Sequence, residues 1–275
     1  MNAEDKVAVI TGASRGVGKA MALRLASRGV KLVLAARTVR RGDSVWPGSL
    51  EETAQQARAA GAEVTVVKCD VSERADLEHL YGLVLNKYNR ADILINNAMY
   101  SSETPDNSAG YEPFLELSIN EWQRHITGNI LANVVACKLC LPSMIENRTG
   151  IILCLTSRAA THNTGLPGKG GTNAAYATTK AAINRFVSFV AEEIRAYGIP
   201  IIAFGPGPAA TERYQNVARH GVSLGKIAGI GNIGWHSTDV PAAAMEYLCF
   251  TCPDPMVYTG QVLHAIDLYN QLQLR

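Results

Sequence analysis

The stretch Lys6-Val7-Ala8-Val9-Ile10-Thr11-Gly12-Ala13-Ser14-Arg15-Gly16-Val17-Gly18 decides the fold. Residues 6–11 form a short apolar run, the pattern of a strand buried on both faces. A glycine-rich turn follows, and residues 19–28 then carry helical periodicity that stops at Gly29, as a helix C-terminus should. Strand, glycine turn and helix in this order aim backbone N–H groups and the positive end of the helix dipole at a phosphate. The missing side chains let a pyrophosphate approach. Because the strand and the helix are both present, the glycine motif carries weight that it would lack alone.

The same alternation continues outward from this unit. Further strands are expected at 31–36, 63–69, 91–95, 150–155 and 199–204. Between them, Ser49 and Glu52 form a capping box for a helix to Ala60, and Ser72 is placed to cap a helix over 74–88. Ser118 and Glu121 form a second box, opening a helix that runs through Asn129 to about Ile145, with Pro142 bending its end. A long helix is expected over 173–197. Alternating strands and helices imply an α/β fold with a parallel, doubly wound sheet of about seven strands and helices on both faces. A chain of 275 residues suits a single domain over 1–275.

Composition narrows the partners. With 47% hydrophobic residues, 18% charged and a formal net charge of +2, the chain reads as globular and lacks the basic excess of a nucleic-acid binder. Met1–Asp5 is acidic and precedes an apolar run too short for a signal peptide or a membrane span, so a cytoplasmic location without a membrane partner is expected. Six cysteines include two Cys-x-x-Cys pairs, Cys137/Cys140 and Cys249/Cys252, but both sit in apolar helical text. Core packing is the better reading than a zinc site or a disulfide, and no metal is expected.

Several residues are candidates for a site. The strand over 31–36 ends where a dinucleotide fold meets the adenosine ribose. An NAD enzyme usually offers a carboxylate there; this chain offers Ala36 and Arg37, with Arg15, Arg40 and Arg41 nearby, which favours NADP(H). Asp70 and Val71 follow the third strand at its carboxyl end, where open α/β sheets bind ligands. Asn96-Asn97-Ala98-Met99 ends the fourth strand, either as a plain turn or as amides contacting a ligand. Asn129, an amide in apolar helical text, makes either a structural bond or part of a site. Tyr176 and Lys180 stand four apart in a helix, so phenol and ammonium share one face. A phenol with an ordinary pKa of about 10 is brought down by a neighbouring cation and can trade a proton with a substrate oxygen. The plain alternative is a helix that merely carries a Tyr and a Lys.

Taken together, Thr11–Gly18, Asp70, Asn96-Asn97-Ala98, Asn129, Ser157, Tyr176-x-x-x-Lys180 and Pro206-Gly207 with Thr211 resemble the short-chain dehydrogenase/reductase family along nearly the whole chain. The resemblance implies a Rossmann-type fold and an NADP(H)-dependent oxidoreductase that interconverts a ketone or aldehyde and an alcohol. It makes Tyr176 the general acid/base, and Lys180 both the activator of Tyr176 and a ligand of the nicotinamide ribose. Ser157 would bond the substrate carbonyl, and Asn129 would complete a water relay to Lys180. Gly12, Ser14, Arg15, Gly16, Val17 and Gly18 would hold the pyrophosphate side, and Arg37 the 2′-phosphate. Asp70 and Val71 would meet the adenine, Asn97 and Ala98 the ribose side, and Pro206, Gly207 and Thr211 the carboxamide.

Departures from the pattern are Met99 in place of a usual glycine, a long loop between Ser157 and Tyr176 that keeps Thr156 open as the carbonyl partner, and an insertion over 38–48. In addition, Leu268-Tyr269 replaces the Gly-Gly expected after the last strand. The competing class, motivated by Met99 and the serine loop, is a non-catalytic sensor that binds NADP(H). Substrate contacts fall in 101–113, 158–171 and a loop over about 212–238, where Tyr214, Ile230, Ile233 and Trp235 form an apolar wall or pack the loop itself. The family's habit of pairing the helices at 119–145 and 173–197 implies a homo-oligomer, a tetramer or a dimer.

Overall fold

The computed structural model describes residues 3–100, 112–162, 173–212 and 235–274. Seven strands form one sheet: β1 (Val7–Thr11), β2 (Lys31–Ala36), β3 (Val64–Lys68), β4 (Ile93–Asn96), β5 (Ile151–Leu155), β6 (Ile201–Gly205) and β7 (Val262–His264). Their order is β3-β2-β1-β4-β5-β6-β7, and every pairing is parallel. The direction of winding reverses between β1 and β4, which opens a crevice at the carboxyl ends of these strands.

Both faces are covered. Side chains alternate along each strand, so Ala8 and Ile10 point to one face while Val7 and Val9 point to the other. Against the first face pack α1 (Gly16–Ala26), α2 (Leu50–Ala59), α7 (Asp239–Glu246) and α8 (Ala265–Leu272), through Met21, Leu25, Leu50, Met245 and Leu268. Against the second pack α3 (Arg74–Tyr88), α5 (Ala132–Asn147) and α6 (Ala174–Ile194), through Leu77, Leu80, Met144, Ile183 and Val187. Each such side chain, once fully buried, contributes roughly 1.5–3 kcal/mol. Cys69, Cys137, Cys140 and Cys154 are free thiols in this second core, the packing role expected of them, whereas Cys249 and Cys252 are only half-buried.

The expected capping signals hold at two helix starts, where Ser49 accepts from Glu52 N–H (3.2 Å) and Ser118 from Glu121 N–H (3.2 Å), and the structure adds a third cap, Asn173 accepting from Tyr176 N–H (2.8 Å). Other expectations need correction. Ser72 does not cap α3; Asp70 Oδ1 takes the Ser72 N–H (2.9 Å) and Asp76 Oδ2 the Asp70 N–H (2.8 Å), which shapes the turn instead. The helix starting at Ile119 runs on as expected but is not α-helical throughout: α4 (Ile119–His125) widens into a π-helical segment, Ile126–Leu131, before α5. Pro142 lies inside α5, which runs on to Asn147. Leu268-Tyr269 lies within α8, because the last strand ends earlier, at His264.

Among the described residues one helical run, Ile119–Asn147, is long and apolar enough to cross a membrane, and half of its apolar window is buried inside the fold.

Candidate active site

The glycine turn between β1 and α1 is braced from the end of β4. Gly12 has φ +70°, and a Cβ there would come 2.6 Å from Asn97 Nδ2. That amide donates to the carbonyls of Thr11 (2.8 Å) and Gly12 (3.0 Å), and Ala98 N–H donates to Thr11 Oγ1 (3.1 Å). Gly18 faces the same crowding, with Asn97 Nδ2 2.5 Å from where its Cβ would stand. The amide pair at 96–97 therefore splits its work: Asn97 locks the turn, and buried Asn96 points its Nδ2 at the sulfurs of Cys137 and Cys154 (3.7 Å each). Within this stretch Ser14 is buried and Val17 half-buried.

At the start of α1, Gly16 N–H donates 2.7 Å to Glu212 Oε2. An anionic oxygen thus already sits where backbone N–H and helix dipole favour negative charge. The chain reaches this point through Pro206, Gly207 (φ +78°) and Thr211, whose Cγ2 would lie 3.0 Å from a Cβ on Gly16.

Arg37, at the end of β2, places Nη1 3.9 Å from Asp70 Oδ2, so two expected contacts of the adenosine half lie together, with half-buried Val71 beside them. Arg15 is riveted to the 38–48 insertion. Its Nε donates to Pro47 O (2.9 Å), and its Nη2 to Thr38 Oγ1 (3.0 Å) and to the carbonyls of Trp46 and Gly48 (3.4 Å each). Gly48 has φ +95°, and a Cβ there would come 2.7 Å from Ser14 O, so the insertion lies directly on the glycine turn. Arg40 and Arg41 pair instead with Glu51 (3.3 Å) and Glu52 (2.7 Å) of α2.

The helix α6 brings Lys180 and Tyr176 to the carboxyl ends of β5 and β6. Lys180 Nζ is buried, donates to Leu155 O (2.7 Å) and stands 5.7 Å from the Tyr176 ring centroid. Burial lowers its pKa to about 8, with the Cys154 thiol pulling weakly the other way. Thr156 is buried and spends its hydroxyl on the Lys180 carbonyl (3.3 Å). Ser157 is half-buried; its Oγ accepts from Ala159 N–H (3.2 Å), an arrangement that keeps the hydroxyl hydrogen as a donor.

Asn129 lies in the π segment and is 1% exposed. Its Oδ1 accepts from Tyr100 N–H (2.8 Å), and its Nδ2 donates to Thr179 Oγ1 (3.1 Å) and to His125 Nδ1 (3.2 Å). Its carbonyl accepts from Asn133 Nδ2 (2.6 Å). Accepting at Nδ1 puts the neutral His125 proton on Nε2, and burial holds the imidazole pKa below its ordinary value. Tyr100 lies edge-on to His125 (5.1 Å between centroids) and donates its hydroxyl to Glu121 Oε2 (2.9 Å).

Tyr100, His125, Thr179 and Glu212 are the participants that the sequence reading missed. His125, four residues before Asn129, and Thr179, inside the Tyr176–Lys180 motif, carried local signals, while Tyr100 and Glu212 are joined to the site only by long-range contacts. Trp235 is half-buried; Tyr214, Ile230 and Ile233 lie outside the described residues, as does most of the three loops expected to meet a substrate.

A nicotinamide dinucleotide fits these groups: an anion-accepting helix start, cations at the end of β2, and a Tyr–Lys pair across the crevice. Among the described residues no three His, Cys, Asp or Glu side chains gather to hold a metal.

The sequence pattern of the family described as short chain dehydrogenase matches residues 6–221. A 3-oxoacyl-(acyl-carrier-protein) reductase from Synechocystis is 31% identical over 212 residues, 77% of this chain and 77% of that protein. A protein of the same name from Escherichia coli is 28% identical, covering 96% of this chain and 97% of its own. Among solved structures, a metagenomic short-chain oxidoreductase in complex with NADP aligns with TM-score 0.72 and 25% identity, over 95% of this chain and 97% of that one. A short-chain dehydrogenase/reductase from Burkholderia xenovorans aligns with TM-score 0.80 at 24% identity, over 96% and 95% of the two chains.

Proposed function

The chain belongs to the short-chain dehydrogenase family, and from that premise we propose that it is an NADP(H)-dependent oxidoreductase interconverting a ketone or aldehyde and an alcohol. The observation that carries the reading is the cluster at the ends of β5 and β6: Tyr176 beside buried Lys180, with Ser157 at the edge of the crevice. NADPH, held along 12–18 with Arg37 at its 2′-phosphate, Asp70, Val71 and Ala98 along its adenosine and ribose side, and Pro206, Gly207 and Thr211 at its carboxamide, would supply the hydride, while Arg15 holds the 38–48 insertion against the turn.

In this reading the chain's own groups manage the proton. Ser157 donates to the substrate carbonyl oxygen and orients it. Tyr176 gives its hydroxyl proton to that oxygen during reduction and takes it back as a phenolate during oxidation. Lys180, an ammonium at neutral pH, favours the phenolate, and its bond to Leu155 O fixes the charge. Asn129 reaches a relay water through its carbonyl, of whose two lone pairs Asn133 uses one. Thr156 is committed to α6, which favours Ser157 as the carbonyl partner.

We place the activity in one domain over 1–275, with 212–238 as the substrate loop, in a cytoplasmic homo-oligomer. The test is a panel of ketones, aldehydes, secondary alcohols and a 3-oxoacyl thioester, followed by NADPH absorbance. Turnover of any member supports the reading, and tight NADPH binding with no turnover across the panel would favour a sensor.

A further inference from the structure

The start of α1 is not capped from its own turn. Arg15, at the N-cap position, makes no capping bond, and the first turn of the helix holds no acidic residue. The carboxylate on Gly16 N–H comes instead from Glu212, 196 residues away in sequence.

Glu212 is delivered by a braced segment. Ala209 N–H donates to Gly207 O (3.0 Å), Thr211 N–H to Ala209 O (2.9 Å) and Ala210 N–H to His236 O (2.9 Å). His236 N–H returns a bond to Pro208 O (3.2 Å). The strand-like bridge between Ala209 and His236 thus braces the residues that lead to Glu212.

We infer that Glu212 gates the cofactor site: its carboxylate takes the place of a pyrophosphate oxygen at the start of α1, and a dinucleotide binds by displacing it. The inference rests on the reading of 12–18 as a dinucleotide turn. Two anionic oxygens cannot share one N–H donor, and the helix dipole that favours either one leaves them repelling each other. Part of the binding free energy of the cofactor is then spent on moving Glu212, so apparent affinity falls below what the turn alone would give.

The test compares wild type, Glu212→Gln and Glu212→Ala, each titrated by calorimetry with NADPH and, separately, with inorganic pyrophosphate. Both variants should bind both ligands about 2- to 30-fold more tightly, the range spanned by a carboxylate at a helix N-terminus. Tighter binding of either ligand to both variants supports the gate. If pyrophosphate tightens while NADPH binds none of the three proteins, the gate stands and the nicotinamide reading fails. Unchanged or weaker binding of both ligands would overturn the gate and leave Glu212 as a helix cap or a contact of the bound cofactor.

Discussion

Lys180 is the residue whose surroundings most constrain the chemistry. Its pKa is lowered from 10.5 to about 8 by burial, so between these values the folded chain holds fewer protons than the unfolded one. Stability supplied through this group therefore rises with pH across that window, by about 3 kcal/mol in all if the whole shift is expressed. Chemical denaturation of wild type and Lys180→Met should show the difference moving in favour of wild type from pH 8 to pH 10; a difference constant with pH would mean that the ammonium is not desolvated. Arg37 makes a second residue-scale prediction. Arg37→Asp should weaken NADPH by roughly 10- to 100-fold, the loss of a charge-assisted contact, and NADH by much less. The new carboxylate would face Asp70, 3.9 Å from the present guanidinium, so no large gain in NADH affinity follows. Equal losses for the two cofactors, measured by fluorescence titration, would show that Arg37 only shapes the turn.

At the scale of elements, the π segment and the 38–48 insertion set the site. Gly128 admits Tyr100 to the π segment, since a Cβ there would come 2.7 Å from Tyr100 Cβ and 2.9 Å from Ser72 Oγ. Gly128→Ala should push Tyr100 away from Asn129 and cost roughly 1–3 kcal/mol, read as a lowered thermal midpoint; an unchanged midpoint would mean that the contact is loose. These elements also mark where sequence reading ran out. The caps at Ser49 and Ser118 were legible because each bond spans three residues. The glycine turn and the Tyr176–Lys180 spacing were legible for the same local reason. The π segment was not, because its apolar periodicity differs little from that of a continuous helix and its partner Tyr100 arrives from the end of β4. The fold of the insertion was hidden likewise, since Arg15 reaches four partners over 38–48 that no local pattern ties to a glycine turn.

For the whole molecule, the strand order and the two-faced core follow from the alternation of buried runs and amphipathic helices, which is why the architecture was readable where Glu212 was not. Ile119, Ile126 and Leu131 on the α4–α5 run, and Phe189 on α6, remain 41–72% exposed. Burying them between copies is the expected solution, and light scattering at micromolar concentration should give a multiple of the 29.5 kDa chain mass. A monomer mass would contradict it. The account as a whole stands on Tyr176, and the most direct measurement is the steady-state rate of Tyr176→Phe against wild type on the best substrate of the carbonyl panel, with NADPH affinity measured in parallel. Loss of one hydroxyl should lower kcat by about 10²–10⁴-fold while NADPH affinity changes little. Near-normal reduction by Tyr176→Phe would contradict the mechanism and leave the Tyr–Lys pair with a structural role only.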